Sequence, residues 1–248
     1  MRTLENQTLL YDEDCPLCRV YTSGFIKAKM LDENGKKPYC QLSKEEQNFI
    51  DIKRASNEIA LVDNENKTVI YGIDSLLKVI GFSFPWIEKI GNIKPVKYFL
   101  RKLYCFVSYN RKVIIPSKIN KEIKLQCVPD FNYKYRVLYI LFAILVSSLI
   151  VNQFNIKFRF LEIIFFVTTL VVIQTVLLLK FSKVIVLNYL GNFTTSILFG
   201  SLFLIPMIIL KSFVNISEIA FQIYFYLILS IVIIDIYRRS QIVKFNIK

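Results

Sequence analysis

The chain predicts an α/β domain at its N-terminal end followed by an all-α bundle of four membrane-crossing helices. Three observations carry that division. All five cysteines lie before residue 128, and two form Cys15-Pro16-Leu17-Cys18 behind a short apolar run. From Val137 onward Ile, Leu, Val and Phe dominate. The 248 residues contain no histidine, which excludes Cys–His nucleophiles, Ser–His–Asp triads and every His-based zinc, haem or non-haem iron site. Thiols therefore lead the side chains able to react at neutral pH. The expected divisions are 1–115 for the thiol domain, 116–136 for a basic linker, 137–237 for the four transmembrane helices and 238–248 for a basic cytoplasmic tail.

The run Thr8-Leu9-Leu10-Tyr11 reads as a buried strand. Pro16 suits the first turn of a helix, where its missing N–H would be unpaired anyway. Cys15 is then the N-cap, with Cys18 one turn in. There a sulfur faces free backbone N–H groups and the positive end of the helix dipole, which favour the reactive thiolate. Asp12, Glu13 and Asp14 push the other way, because nearby negative charge raises a thiol pKa; Arg19 and Lys27 are the cations at hand to offset them.

After Pro16, the apolar positions Leu17, Val20, Tyr21, Gly24, Phe25, Ala28 and Leu31 make a helical stripe. Tyr39–Leu42 is a second-strand candidate, and Ser43-Lys44-Glu45-Glu46 is a capping box that starts another helix. Glu58–Val62 and Thr68–Tyr71 read as a hairpin, and Ile73–Ile80 as a helix ending at Gly81. The resulting order, β-α-β-α-β-β-α with CxxC opening the first helix, is the thioredoxin order. A basic amphipathic helix over Ile93–Ser108 either closes this domain or lies on a lipid surface. Trp86 is an interface anchor or a core residue.

The run Tyr11-Asp12-Glu13-Asp14-Cys15-Pro16-Leu17-Cys18 resembles the signature of the DCC family, described as thiol-disulfide oxidoreductases of thioredoxin-like fold, with Glu13 where that family usually has glycine. Gly72-Ile73-Asp74-Ser75-Leu76-Leu77 resembles the family's Gly-x-x-Ala-Leu-Leu stretch, and Tyr104 with Asn110-Arg111 its closing element. The likeness covers about residues 6–115. It implies that Cys15 is the exposed nucleophile, that the more buried Cys18 resolves the mixed disulfide, and that Asp12 accepts or holds a proton for Cys18. Thioredoxins place a cis-proline before the third strand; here Ala55-Ser56-Asn57-Glu58 stands in that place.

Four apolar spans follow: Val137–Phe154, Phe160–Leu179 with Glu162 near its start, Val184–Leu210 with Pro206 near its end, and Ile219–Ile236 ending on Asp235. A helix needs about 20 mostly apolar residues to cross a bilayer. Short connections imply antiparallel neighbours, and four crossings put both termini on one side. That side carries Lys118, Lys121, Lys124, Lys134, Arg136, Lys180, Lys183, Arg238, Arg239, Lys244 and Lys248, against Lys157, Arg159 and Lys211 opposite. The positive-inside rule therefore expects a multi-pass protein of the cell membrane with cytoplasmic termini. Met1–Gln7 is polar, so no cleavable signal is expected ahead of the first strand. A cluster of Asn188, Asn192, Thr194 and Thr195 with Gly191 suggests close helix packing or contact with a partner.

The net charge of +13 belongs largely to residues flanking the spans. No nucleic-acid-binding motif accompanies it, so nucleic acid is not an expected partner. The expected partners are a protein or small-molecule thiol or disulfide substrate, the lipid bilayer, and a membrane protein docked through the bundle. Cys40, Cys105 and Cys127 read as buried hydrophobes; a Cys₄ zinc site built from Cys15, Cys18 and two of them is the minor alternative. Dithiol–disulfide exchange needs no bound cofactor and leads the functional expectation. A non-catalytic scaffold or accessory subunit is the competing one, and a quinone- or lipid-linked relay a weaker third. Exchange requires the Cys15 sulfur to be reachable at the helix mouth and within bonding reach of Cys18; a sealed sulfur leaves a binding module.

Overall fold

Strand β1 (Gln7–Tyr11) is central in a four-stranded mixed sheet. The computed structural model describes residues 2–117, 125, 127–153, 168–174, 176 and 181–247, with side chains to 243. On one side β1 pairs in parallel with β2 (Lys36–Pro38); on the other it pairs antiparallel with β3 (Ala60–Asp63), which pairs antiparallel with β4 (Thr68–Tyr71). The order is β2-β1-β3-β4. Side chains alternate across a strand, so Leu9 enters one core with Leu4, Leu31, Ile59, Leu61 and Val79. Leu10 enters the other with Tyr39, Leu42, Ile50, Ala55 and Val62. Burial on both faces explains why β1 is apolar without alternation.

Helix α1 (Pro16–Lys27) begins as its sequence demands, with Cys15 as an extended N-cap (φ −97°, ψ 108°) and Pro16 in the first turn. Its inward face is narrower than the expected stripe. Cys18, Tyr21, Thr22 and Phe25 face the sheet, whereas Val20 and Gly24 are exposed. Small Cys18 and Thr22 allow close approach to the sheet, and Thr22 satisfies its hydroxyl on the Cys18 carbonyl (2.8 Å).

The second strand is displaced from its expected place. Pairing occurs at Lys36–Pro38, and Tyr39–Gln41 forms a single 3₁₀ turn. Pro38 ends this edge strand because it has no N–H to extend a ladder. Tyr39 and Leu42 are apolar because they fill the core, and the Tyr39 hydroxyl donates to the Ile52 carbonyl (2.8 Å).

Helix α2 (Lys44–Phe49) starts on the expected capping box: Ser43 accepts from the Glu46 amide (3.2 Å), and Glu46 accepts from the Ser43 amide (2.7 Å). Helix α3 (Ile52–Asn57) follows, and β3–β4 is the expected hairpin. Gly72, at φ +66°, turns the chain into α4; a Cβ there would meet the Glu58 carboxylate. Helix α4 (Ile73–Ser83) passes through Gly81, the expected stop. Pro85 is what ends it, by forcing Phe84 out of helical geometry. Helix α5 (Pro85–Gly91) leads to α6 (Lys94–Ile114). The latter continues past Ser108 and carries Asn110 and Arg111, both buried, into the domain.

The chain forms two compact units, Met1–Asn132 and Tyr133–Lys248. Leu125 and Cys127, from the segment expected to be linker, pack on the first unit's core. In the second unit, α7 (Tyr133–Gln153), α8 (Lys183–Phe213) and α9 (Glu218–Ile247) are long and apolar enough to cross a membrane. They contain the third and fourth expected spans and the first as far as Gln153. Most of the second, Phe160–Leu179, lies outside the described residues, Glu162 included; residues 168–174 are helical.

Helices α7 and α9 each pack on α8. Gly191, Thr194 and Thr195 are buried on α8, and the threonine hydroxyls bond back to the carbonyls of Leu190 (3.0 Å) and Gly191 (2.6 Å). The Tyr139 and Thr195 hydroxyls join α7 to α8 at 2.8 Å. At the α8–α9 contact, Ser196 donates to Asp235 (2.8 Å), which pairs with Arg239 (2.6 Å) and Arg238 (2.7 Å). Gly200 lies against Val232 with no room for a Cβ. Gly200→Leu should therefore destabilise the bundle by about 1–3 kcal/mol through overpacking, measured as a lower Tm of the detergent-solubilised chain, whereas Ser230→Ala on the exposed side of α9 should leave it unchanged.

Candidate thiol site

The sheet delivers the CxxC motif through a tight loop. Beyond β1, the Asp12 carbonyl accepts the Cys15 amide (3.1 Å), and Asp12 Oδ1 accepts the Asp14 amide (3.0 Å). This is an Asx-type turn, in which a carboxylate stands in for backbone. Glu13 is not among the residues of positive φ, so the loop closes without the glycine usual in the resembling family.

Cys15 and Cys18 are both free thiols and both buried, at 0% and 4% exposure. This overturns the expectation of an exposed Cys15 in front of a more buried Cys18. A helix mouth is open only as far as the rest of the fold leaves it open. Here the end of α6 and the segment carrying Cys127 return to this end of the sheet, close enough for the charges of Arg111 and Cys127 to act on or respond to Cys15.

The two thiols are chemically unequal. Cys15 is lowered to about 6, chiefly because the Cys18 thiol hydrogen-bonds to its sulfur; burial and the Asp12 charge oppose this, and Arg111 assists. Cys18 is raised by giving that hydrogen bond and by burial. The hydrogen bond thus favours negative charge on Cys15 and the proton on Cys18. The contest between helix mouth and carboxylates is decided by a partner thiol and by distant cations. Arg19 and Lys27 are exposed. The cations on Asp12 are Lys112 (2.8 Å) and Arg111 (3.8 Å), both from α6.

Asp12 is buried and ion-paired, and its charge bears on Cys15. The Cys18 sulfur instead receives a hydrogen bond from the hydroxyl of Tyr21, itself held far above its usual pKa by burial. Arg111 also donates to the carbonyls of Ser56 (2.9 Å) and Asn57 (3.5 Å) and lies 3.4 Å from the Cys127 sulfur. Ser108 donates to the Asn57 carbonyl (2.6 Å), and the Tyr104 hydroxyl accepts the Ile59 amide (2.7 Å). Cys18, Tyr21, Tyr104, Ser108, Arg111 and Cys127 line a cavity of about 200 Å³. That is below the usual range for drug-sized ligands.

Cys40, Cys105 and Cys127 are half-buried, not sealed hydrophobes. Cys40 donates to Glu13 (3.3 Å), and burial pushes Cys127 up to about 12. Among the described residues, no three His, Cys, Asp or Glu side chains form a metal-ligating group. Sequence reasoning missed the roles of Lys112, Tyr21 and Cys127. Tyr104 and Arg111 were visible only as parts of a family resemblance.

Two outcomes follow for the reduced chain. Ultraviolet thiolate absorbance should titrate one cysteine near pH 6, and Cys18→Ala should move that midpoint up toward the ordinary thiol value near 9. Arg111→Met should raise it as well and should destabilise the domain by about 3–5 kcal/mol, because Asp12 keeps a buried charge with one partner fewer, seen by chemical denaturation. Set beside protein-family models, curated proteins and solved structures, the chain matches none.

Proposed function

We propose that the chain is a membrane-anchored thiol-disulfide oxidoreductase of DCC type, working through Cys15 and Cys18 of a thioredoxin-like domain on the cytoplasmic side. The observation that carries this reading is the placement of Cys15 as the extended N-cap of α1 with Cys18 one turn in; the hydrogen bond from Cys18, which lowers the Cys15 pKa, supports it. The sheet order β2-β1-β3-β4, with β3 antiparallel to β1 and CxxC opening the helix after β1, supports the thioredoxin-like assignment. The three helices long and apolar enough to cross a membrane, together with the apolar sequence of Phe160–Leu179, support a four-crossing anchor; the excess of cations at one end supports cytoplasmic termini.

In the reaction, the Cys15 thiolate attacks one sulfur of a substrate disulfide. A Cys15–substrate disulfide forms, and the other substrate sulfur leaves as thiolate. Cys18 gives up its proton and attacks the Cys15 sulfur; a Cys15–Cys18 disulfide forms and the second substrate sulfur leaves. The substrate gains two electrons and the chain loses two. A cytoplasmic thiol pool restores the dithiol.

Cys15 is covered, so the closed fold does not meet the condition of a reachable sulfur, and exchange requires an opening step that uncovers it. The backbone before β3, where thioredoxins carry their cis-proline, has its Ser56 and Asn57 carbonyls engaged by Arg111 and Ser108. The same burial favours a second reading, a non-catalytic accessory subunit that uses the thiol domain for binding.

Trapping in cells separates the two. Cys18→Ser should accumulate mixed disulfides through Cys15 that a reductant releases, and Cys15→Ser should not. A Cys18→Ser chain that traps nothing, while a Cys15→Ser, Cys18→Ser double variant keeps full function, would establish the binding module instead.

A further inference from the structure

Helix α6 has two faces. Tyr104, Ser108 and Arg111 point into the domain, as described. Phe99 and Leu103 point out, with Phe99 65% exposed. Just upstream, Trp86 is 62% exposed, and Ile90 and Ile93 are open as well. Lys89, Lys94 and Lys102 stand exposed among them. Lys97 and Arg101 are partly engaged by Asp74 (2.7 and 3.4 Å). Residues 84–107 hold five Lys or Arg and one acid, Glu88.

Large apolar side chains left open in a run are unusual on a water-facing domain and mark a contact surface. Aromatic and aliphatic residues interleaved with lysines on a helix are the composition of a segment lying in a bilayer interface, and tryptophan concentrates at that depth. We infer that α5 and the first half of α6 form a docking face that lies against an anionic lipid surface, burying Trp86, Ile90, Ile93, Phe99 and Leu103 while the lysines meet the headgroups. The sign of the charge selects the occupant, since lysine attracts anionic lipid. Chain connectivity supplies the opportunity. Asp130 is held to Asn57 by two hydrogen bonds (2.7 and 3.0 Å), and only Phe131 and Asn132 separate it from α7. The domain is therefore tethered to any bilayer that α7 enters. The expected alternatives for this helix, closing the domain or lying on lipid, become its two faces. The thiol chemistry plays no part in this inference.

Trp86 is the chain's one tryptophan, so intrinsic fluorescence reads this face alone. The full chain is reconstituted in vesicles of phosphatidylcholine, with or without phosphatidylglycerol, and with or without brominated acyl chains. Docking predicts that Trp86 emission shifts to the blue and is quenched by brominated chains in the anionic vesicles. Lys94→Gln and Lys102→Gln should each lower the docked-to-undocked ratio roughly fivefold, and Phe99→Ser should lower it further with no change in Tm. Trp86 that stays open to aqueous acrylamide and unquenched by bromine in anionic vesicles overturns the inference. So does Trp86 shielded from both quenchers whatever the lipid, since protein then covers the face.

Discussion

Arg111 is the point at which separate stretches of the N-terminal unit are held together. From one turn of α6 its guanidinium reaches the end of α3 through Ser56 and Asn57, the post-β1 loop through Asp12, and the returning segment through Cys127. A buried guanidinium loses its hydration at a cost of several kcal/mol, which only well-placed acceptors offset. Carbonyls at a helix end, left over by helix geometry, are such acceptors. Arg111 thus ties the end of α6 to the CxxC loop and to the end of α3.

The same cation shapes the thiols. Asp12 would oppose a thiolate beside it, and Arg111 with Lys112 supplies the compensating charge. The hydrogen bond from Cys18 then separates two chemically identical groups into an acidic and a resistant thiol. Closure has a consequence of its own: packing that stabilises the anion also hides it. Low exposure shields a sulfur from adventitious oxidation.

In the second unit, whose helices are long and apolar enough to cross a bilayer, a different constraint applies. Lipid offers apolar side chains no reason to leave it, so association rests on close packing and on polar groups satisfied between helices. The small residues of α8, with Gly200 against Val232, supply the first. The Tyr139–Thr195 and Ser196–Asp235 contacts supply the second. Polar residues that look out of place in an apolar span are accounted for by these neighbours.

What the sequence determined by itself is local. Pro16 after Cys15, the Ser43–Glu46 box, the hairpin around residues 63–68 and the apolar lengths of three helices each follow from contacts within a few residues, and each is where the pattern placed it. The strand expected at Tyr39–Leu42 failed because apolar content reports burial, and burial is shared by strands and turns. The stop expected at Gly81 failed because a proline four residues on outweighed it. Tertiary structure alone decided that Cys15 is covered, that Lys112 and Arg111 and not Arg19 balance Asp12, and that Cys127 joins the site. Those are contacts across some 90 to 110 residues, and no periodicity or local spacing encodes which distant charge a fold will bring to a sulfur.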